Sequence, residues 1–468
     1  MNKNNNYLKK ILICILILSF TLLSGFLLGI SISKVDNDAS INKLIEIKNI
    51  LKEDWYFADQ FNDIDETLIN SALYGMSNNP IDIHTTYMNE EQRLSFADDT
   101  NHHFVGIGIE YINIDTYKIV TNVFSDSPAN RAGLLPGDFI YKIDGHEVAN
   151  LDNEQIKQLT LGEVNSQVVF DVIRDNKQIP IDIYRGDIGS VYGEIISDVG
   201  YIEIMSFGED TANQLENLLN DFISQDINSY IIDLRNNGGG YLNSLIDISG
   251  LFIPNNTIVM HQVFSDETID IFKTKREPLE GIQEVVILIN EGTASASEAF
   301  TLAMKENFDN TTIVGVESYG KGTMQQTRTF DDGSALNYTT GRWQSSKGHS
   351  LIEGGIIPDH KIDEKNIVNT PYIFNKDETY AFDKYHYSII DIQNSLRYLG
   401  YKIDDQEGHF SNDTLKALNT FQKENNYEET NYINQQTYMN IRSKLYNVTH
   451  KDHYKDSYFK EAMEIINE

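Results

Sequence analysis

Five consecutive apolar residues, Val285-Val286-Ile287-Leu288-Ile289, lead directly into a run of small residues, Gly292-Thr293-Ala294-Ser295-Ala296-Ser297-Glu298. A short apolar run rich in β-branched residues reads as a buried strand, and the stretch from Glu298 to Glu306 reads as a helix. A serine therefore stands where a strand hands over to a helix. Such a corner exposes a nucleophile and aims backbone N–H groups at whatever it attacks. The next strand-like run, Thr311 to Val316, is followed by Gly320-Lys321-Gly322, a lysine in a glycine-flanked loop. A lysine there acts as a base if its surroundings desolvate it enough to leave it neutral near working pH.

The same alternation extends from residue 187 to 365. Gly200–Met205 and Tyr230–Leu234 read as strands, and 210–223 and 242–250 as helices. Strands alternating with helices predict an α/β core. The second of these strands ends in Asp233-Leu234-Arg235-Asn236-Asn237-Gly238-Gly239-Gly240. Its glycines leave backbone N–H groups unobstructed, which suits an oxyanion hole. The run is no dinucleotide fingerprint, because the G-x-G-x-x-G spacing is not met.

Composition narrows the classes. The chain has 37 basic and 70 acidic residues, a net charge of −33, with no long basic run beyond the N-terminus. Phosphate binding needs a concentrated positive surface, so nucleic acid is not an expected partner. The single cysteine, Cys14, excludes a disulfide framework and a cysteine nucleophile downstream of it. His146-Glu147 has no second histidine at the H-E-x-x-H spacing, and no G-x-S-x-G motif occurs in the globular part. No metal and no cofactor is expected.

Before the core, Lys3, Lys9 and Lys10 precede Ile11–Ile32, 22 residues without a charge. At ~1.5 Å per residue this spans a hydrocarbon core of ~30 Å. The preceding lysines favour a cytoplasmic N-terminus with the rest of the chain outside. A cleaved signal peptide is the rival. The run is longer than the usual ~7–15-residue signal core and no A-x-A-like site follows. An uncleaved single-pass anchor over residues 1–34 is therefore expected, with an extracytoplasmic catalytic part. Residues 35–101 carry Ile41, Leu44, Ile45, Ile47, Ile50, Leu51 and Trp55 at helical spacing and read as a helical arm, suited to subunit contact or to packing on the same chain.

Residues 102–186 change character. Phe104-Val105-Gly106-Ile107-Gly108-Ile109 is a glycine-punctuated apolar strand. It is followed by Ser127-Pro128-Ala129, Ala132-Gly133-Leu134, Pro136-Gly137-Asp138 and Ile143-Asp144-Gly145. This order resembles a PDZ domain. In that resemblance Gly106, Ile107, Gly108 and Ile109 offer backbone N–H groups to a peptide carboxylate, and the peptide adds as an extra strand. After a linker at 366–382, residues 383–446 fit three short helices with glycine turns. The pattern around Gln393, Leu396, Leu399-Gly400-Tyr401, Gly408, Phe410, Thr414, Ala417-Leu418 and Phe421-Gln422 resembles a small peptidoglycan-binding domain. Its last third departs, with Glu429-Thr430-Asn431-Tyr432-Ile433 where a D-G-x-I/V-G turn is usual. The tail, 447–468, reads as helical and charged, and no site is assigned to it.

Taken together, D-L-R-N-N-G-G-G-Y-L, T-A-S-A-S-E, G-K-G-T-M-Q and G-G-I-I-P-D, in this order, resemble the carboxyl-terminal processing peptidases, Ser/Lys tail-specific proteases with an embedded PDZ domain. The resemblance implies an α/β (α+β) multidomain protein with Ser295 as nucleophile, Lys321 as general base and Gln325 orienting the lysine. Ser297 is the alternative nucleophile. Gly239 and the N–H of Ala296 map to the oxyanion hole. Gly238 stands where the family usually has proline. The resemblance further implies protein substrates recognised by their C-terminal tails, PDZ-mediated binding or gating, and a homodimer. Peptidoglycan is a further partner, and the membrane is reached through the anchor. A catalytically silent, wall-binding scaffold is the non-enzymatic alternative.

Overall fold

The computed structural model describes residues 39–101, 104–114, 116–351, 354–362, 374, 377–451, 453 and 456–468. Among these, no helix is long and apolar enough to cross a membrane. The expected anchor, Ile11–Ile32, lies outside the described residues. The chain divides into two compact units, residues up to Asn89 with Thr329–Asn337, and Glu90–Arg328 with Tyr338–Glu468.

The first unit is the arm. Helix Ala39–Asp54 buries no residue, and helix Ile64–Ser77 is capped by Asp63, which accepts from the Glu66 N–H at 3.0 Å. Lys48 and Lys52 both pair with Asp65, holding the two helices together. Strand Thr86–Met88 pairs antiparallel with residues 335–337. Ile41, Leu44, Ile45, Ile47 and Ile50 stay about half exposed, so the helical spacing in the sequence marks a face that this unit leaves uncovered. Helix Glu90–Asn101, expected to end the arm, belongs to the second unit.

In the second unit the α/β core has a sheet of six strands. Val191–Ile196 runs antiparallel to Val199–Ile204, and Ser229–Asp233, Glu284–Ile289, Thr311–Gly315 and His360–Lys361 continue in parallel. Side chains alternate across a strand. Val285, Ile287 and Ile289 therefore face one core with helices Thr211–Ile223, Leu242–Ser249 and Ala296–Asn307, while Val286 and Leu288 face the other. The helix on that other face is Ser457–Ile466, at the end of the tail, through Tyr458, Phe459, Ala462 and Met463. The second face of the sheet is therefore covered from outside the 187–365 range expected for the core. The chain leaves the sheet after Ile362, builds another module, and returns to cover the sheet's second face.

The PDZ-like domain is an antiparallel sheet in the order Ile109–Ile114, Tyr117–Val123, Phe139–Ile143, Gln167–Arg174, Lys177–Tyr184, closed by helices Pro128–Ala132 and Asn153–Thr160. The expected single strand at 104–109 is broken at Ile107-Gly108, where Gly108 takes φ +77° and packs against Ser127. The C-terminal module holds helices Tyr387–Tyr398, Asn412–Glu424 and Gln435–Lys451 around Ile389, Leu396, Phe410, Leu418 and Phe421. Its last helix seats Met439 and Tyr446 on Ile114, Ile119 and Phe139 of the PDZ-like sheet.

Candidate active site

Strand Glu284–Ile289 ends at Asn290, and the chain turns through Gly292–Ala294 into helix Ala296–Asn307. Ser295 is the residue before that helix and takes φ +59°, ψ −116°. A side chain rarely adopts such a backbone, and the cost of order 1–3 kcal/mol must be carried by the surroundings. Ser295 is partly exposed, whereas Ser297 is fully buried and donates its hydroxyl to the Asn237 carbonyl at 3.0 Å. Of the two candidate nucleophiles, only Ser295 is reachable.

The turn is held by Glu298, whose carboxylate is fully buried. One oxygen accepts the N–H groups of Ser295 (2.8 Å) and Lys321 (2.9 Å). The other accepts the Ser318 hydroxyl and the Gly320 N–H, both at 2.6 Å. Two amide nitrogens bonded to one oxygen cannot lie farther apart than the two bonds laid end to end. Glu298 thus fixes the backbone of the serine turn against that of the lysine loop. The loop is fixed from its other side by Trp343, whose indole donates to the Lys321 carbonyl at 2.7 Å and whose N–H reaches the Gly322 carbonyl at 3.0 Å. Sequence reasoning gave Glu298 no role. The only signal was an acid three residues into the helix, a capping-box position.

Lys321 is half-buried, and among the described residues its ammonium has no hydrogen-bond or ion-pair partner. Burial pulls its pKa below the ordinary lysine range, and the nearby Glu298 charge opposes that shift. A lowered value raises the fraction of neutral amine, the form that can take a proton. Gln325 is nearby in sequence, but its amide nitrogen donates to Thr323 (3.0 Å) and Thr339 (3.1 Å), and it makes no hydrogen bond to Lys321 here.

The glycine loop after strand Ser229–Asp233 flanks the serine turn. The Asn237 carbonyl accepts the Ala294 N–H at 2.9 Å, and Asn236 and Asn290 exchange bonds of 2.8 and 2.9 Å. Gly239, at φ +102°, lies so close that a Cβ there would come within 2.8 Å of the Ser295 Cβ and the Ala296 nitrogen. The Gly239 N–H, however, donates to the Asn237 side chain at 2.9 Å. In this conformation it is not offered to a substrate. The Ala296 N–H, at the first position of the helix, has no partner among the described residues.

On the PDZ-like domain the Ile107 carbonyl accepts the Ala129 N–H (2.9 Å) and the Gly108 carbonyl accepts that of Phe124 (3.2 Å). The N–H groups of Ile107 and Gly108 are left without a partner among the described residues. Gly106 pairs with Gly186 and Ile109 with Val123. Among the described residues Ile109–Ile114 is an edge strand, with a neighbour on one side only.

The chain matches a model of peptidase family S41 over residues 198–362, of the PDZ domain over 105–184, and of the "Putative peptidoglycan binding domain" over 386–439. It is 30% identical over 400 residues to the "Carboxy-terminal processing protease CtpA" of Bacillus subtilis, covering 85% of this chain and 84% of that one. It is 31% identical over 410 residues to a "Probable CtpA-like serine protease" of Staphylococcus aureus, covering 87% and 81%. A protein of the same description from Staphylococcus epidermidis is 31% identical over 412 residues, covering 87% and 82%.

Proposed function

The chain belongs to the carboxy-terminal processing serine proteases of peptidase family S41, and from that premise we propose that it cleaves peptide bonds with a Ser295/Lys321 dyad. The observation that carries this reading is the Glu298 clamp, which joins a strained, reachable serine to a half-buried lysine whose ammonium makes no ion pair among the described residues.

In this mechanism neutral Lys321 takes the Ser295 hydroxyl proton as the oxygen attacks the substrate carbonyl carbon. The carbonyl oxygen becomes the oxyanion and is met by the Ala296 N–H, with the Gly239 N–H as second donor once Asn237 releases it. One such donor is worth roughly 3 kcal/mol. Collapse of the tetrahedral species breaks the C–N bond. Lys321 returns its proton to the leaving amine, and a water deprotonated by Lys321 then hydrolyses the acyl-enzyme. Gln325 does not bond the lysine in this conformation; its amide oxygen, the half of the amide not spent on threonines, is the group that orients the lysine when substrate is bound.

The PDZ domain holds the substrate's C-terminal tail. The tail adds as a strand to the edge Ile109–Ile114, and its carboxylate meets the unpartnered N–H groups of Ile107 and Gly108. Residues 11–32 anchor the protein in the membrane with its catalytic part outside. The C-terminal module meets peptidoglycan, and the exposed isoleucine face of helix Ala39–Asp54 pairs two copies.

The test is degradation of an unstructured protein with an apolar C-terminal tail by the full chain in detergent, wild type beside Ser295→Ala, Ser297→Ala and Lys321→Ala. Loss in the first and third with retention in Ser297→Ala is expected. Retention in Ser295→Ala would refute the dyad, and a folded but inactive wild type would favour a wall-binding scaffold.

A further inference from the structure

The peptidase sheet is finished by the last segment of the chain, and that segment grips the root of the glycine loop. Strand Ser229–Asp233 ends at Asp233, and Arg235 folds back on it. Its Nε lies 2.9 Å from both carboxylate oxygens, and one terminal nitrogen lies 2.5 Å from Oδ2. The other terminal nitrogen of Arg235 meets Asp456 Oδ2 at 2.7 Å, and the guanidinium lies 4.9 Å from the ring centre of Tyr458. Tyr201 donates to Asp233 at 2.7 Å and packs its ring against Phe459. Arg235 is thus a joint between the C-terminal helix and the loop that follows directly at Asn236 and Asn237. Those two asparagines hold Asn290, Ala294 and Ser297 of the serine turn.

We infer that Asp456 is a positioning residue for the peptidase. Through Arg235 it sets the loop Asn236–Gly240 against Ser295, so that the segment after the C-terminal module is part of the catalytic unit rather than a trailing tail. This rests on the proposed role of the Gly239 and Ala296 N–H groups. Displacements of ~1 Å at such a loop can cost ~100-fold in rate. The effect here is smaller, because Asp233 still holds the Arg235 side chain when Asp456 is lost.

Asp456 has a second task that the test must separate from the first. Its Oδ1 accepts the Tyr458 N–H at 2.9 Å, capping helix Ser457–Ile466. Asparagine caps a helix about as well as aspartate. Asp456→Asn therefore keeps the cap and removes the anion that faces Arg235. Phe459→Ala is the complementary variant, since it thins the packing of the same helix and leaves the Asp456–Arg235 ion pair and the Tyr201 hydroxyl in place.

The experiment uses the full chain and a fluorogenic peptide, with kcat, KM, thermal midpoint and inhibition by a peptide aldehyde measured for each variant. An aldehyde forms a tetrahedral adduct on the serine and so reads the oxyanion site directly. For Asp456→Asn the expected result is kcat lower by ~3–10-fold and aldehyde affinity weaker by the same factor, an effect made only in the tetrahedral state. KM and the thermal midpoint stay close to wild type. For Phe459→Ala the midpoint falls while kcat below unfolding is retained. Unchanged kcat and aldehyde affinity in Asp456→Asn would overturn the inference. So would a loss of kcat in Phe459→Ala equal to that in Asp456→Asn, because the helix would then act through the fold alone. Ser295→Ala in the same series keeps the two readings apart, since activity remaining there would sink the dyad itself.

Discussion

Glu298→Gln isolates the clamp between the two halves of the dyad. The carboxylate accepts four donors, two on each oxygen. An amide must turn its NH2 toward one pair. The cheaper choice is the side of Ser318 and Gly320, because a hydroxyl can turn round and accept whereas an N–H cannot. Ser318 Oγ already accepts the Ile356 N–H at 2.7 Å, but a hydroxyl oxygen has a second lone pair. One buried N–H, that of Gly320, is then left unpaired, at a cost of ~1–3 kcal/mol. For a domain of this size that is a fall of about 2–12 °C in thermal midpoint. Glu298→Ala orphans three N–H groups and costs ~3–9 kcal/mol, comparable with the whole stability of a typical domain. The glutamine variant is therefore expected to fold and the alanine variant not to. The glutamine variant also carries a pH signature. The Glu298 charge favours the protonated form of Lys321. Its removal lowers the lysine pKa further, so the acid limb of kcat/KM moves to lower pH even as the maximum falls. The assay is kcat/KM on a fluorogenic peptide between pH 5 and 10, beside thermal unfolding. An acid limb that stays in place or moves to higher pH would refute the coupling.

Three further outcomes follow from the same structure. Lys321→Met should abolish cleavage and raise the thermal midpoint. A lysine with a lowered folded pKa binds its proton more weakly than the unfolded chain does, so wild-type stability rises with pH up to the ordinary lysine range near 10.5; the methionine's advantage should be largest at neutral pH and shrink toward that value. Gly239→Ala should remove most activity, since its Cβ would come within 2.8 Å of the Ala294 carbonyl oxygen and the Ser295 Cβ at φ +102°, and a variant with wild-type kcat would mean the loop has room to move aside. Burial, with Asp233 and Glu110 facing it, pushes the Glu203 carboxyl up to about 8. A raised acid contributes stability below its unfolded value near 4.5 and loses it as pH rises through about 8, so Glu203→Gln should raise the midpoint at pH 8–9 and leave it nearly unchanged at pH 4–5.

What the sequence shows and what it hides divide along the range of the interactions. The strand Glu284–Ile289 and the helix after it are legible because five apolar residues and a run of small ones are local signals. So are the turns of the PDZ domain, where glycine and proline punctuate the chain at fixed offsets. The helix Ser457–Ile466 has a visible apolar stripe, Tyr458, Phe459, Ala462 and Met463, but a stripe does not name the surface it covers. Its target lies on strands that end about a hundred residues or more earlier, so the tail reads as unattached. Glu298 escaped notice for a related reason. Three of its four donors, Ser318, Gly320 and Lys321, lie 20 to 23 residues downstream. Gln325 and Gly239 show the converse. Their positions follow the motifs, yet their hydrogen bonds go to Thr323, Thr339 and Asn237, because a motif fixes a residue's place and not its partners.

The strain at Ser295 can be measured by a substitution that relieves it. At φ +59° and ψ −116° the residue occupies a region that glycine enters freely and other L residues do not. Ser295→Ala and Ser295→Gly both remove the hydroxyl, so both should be inactive, and any capping-box bond of that hydroxyl to the Glu298 N–H is lost equally in the two. Their difference in stability is then a backbone quantity. Glycine is relieved of ~1–3 kcal/mol of strain. It gives back ~0.5–1 kcal/mol by loosening the unfolded chain. The glycine variant should therefore be more stable than the alanine variant by up to about 2.5 kcal/mol, measured by denaturant unfolding under identical conditions. The sign is the informative part. At an unstrained turn alanine would be favoured through chain entropy, so an alanine variant more stable than glycine would show that Glu298 holds Ser295 in a relaxed backbone. A glycine advantage would show that the peptidase spends folding energy to aim its nucleophile, with the Glu298 hydrogen bonds and the sheet packed on both faces supplying the offset.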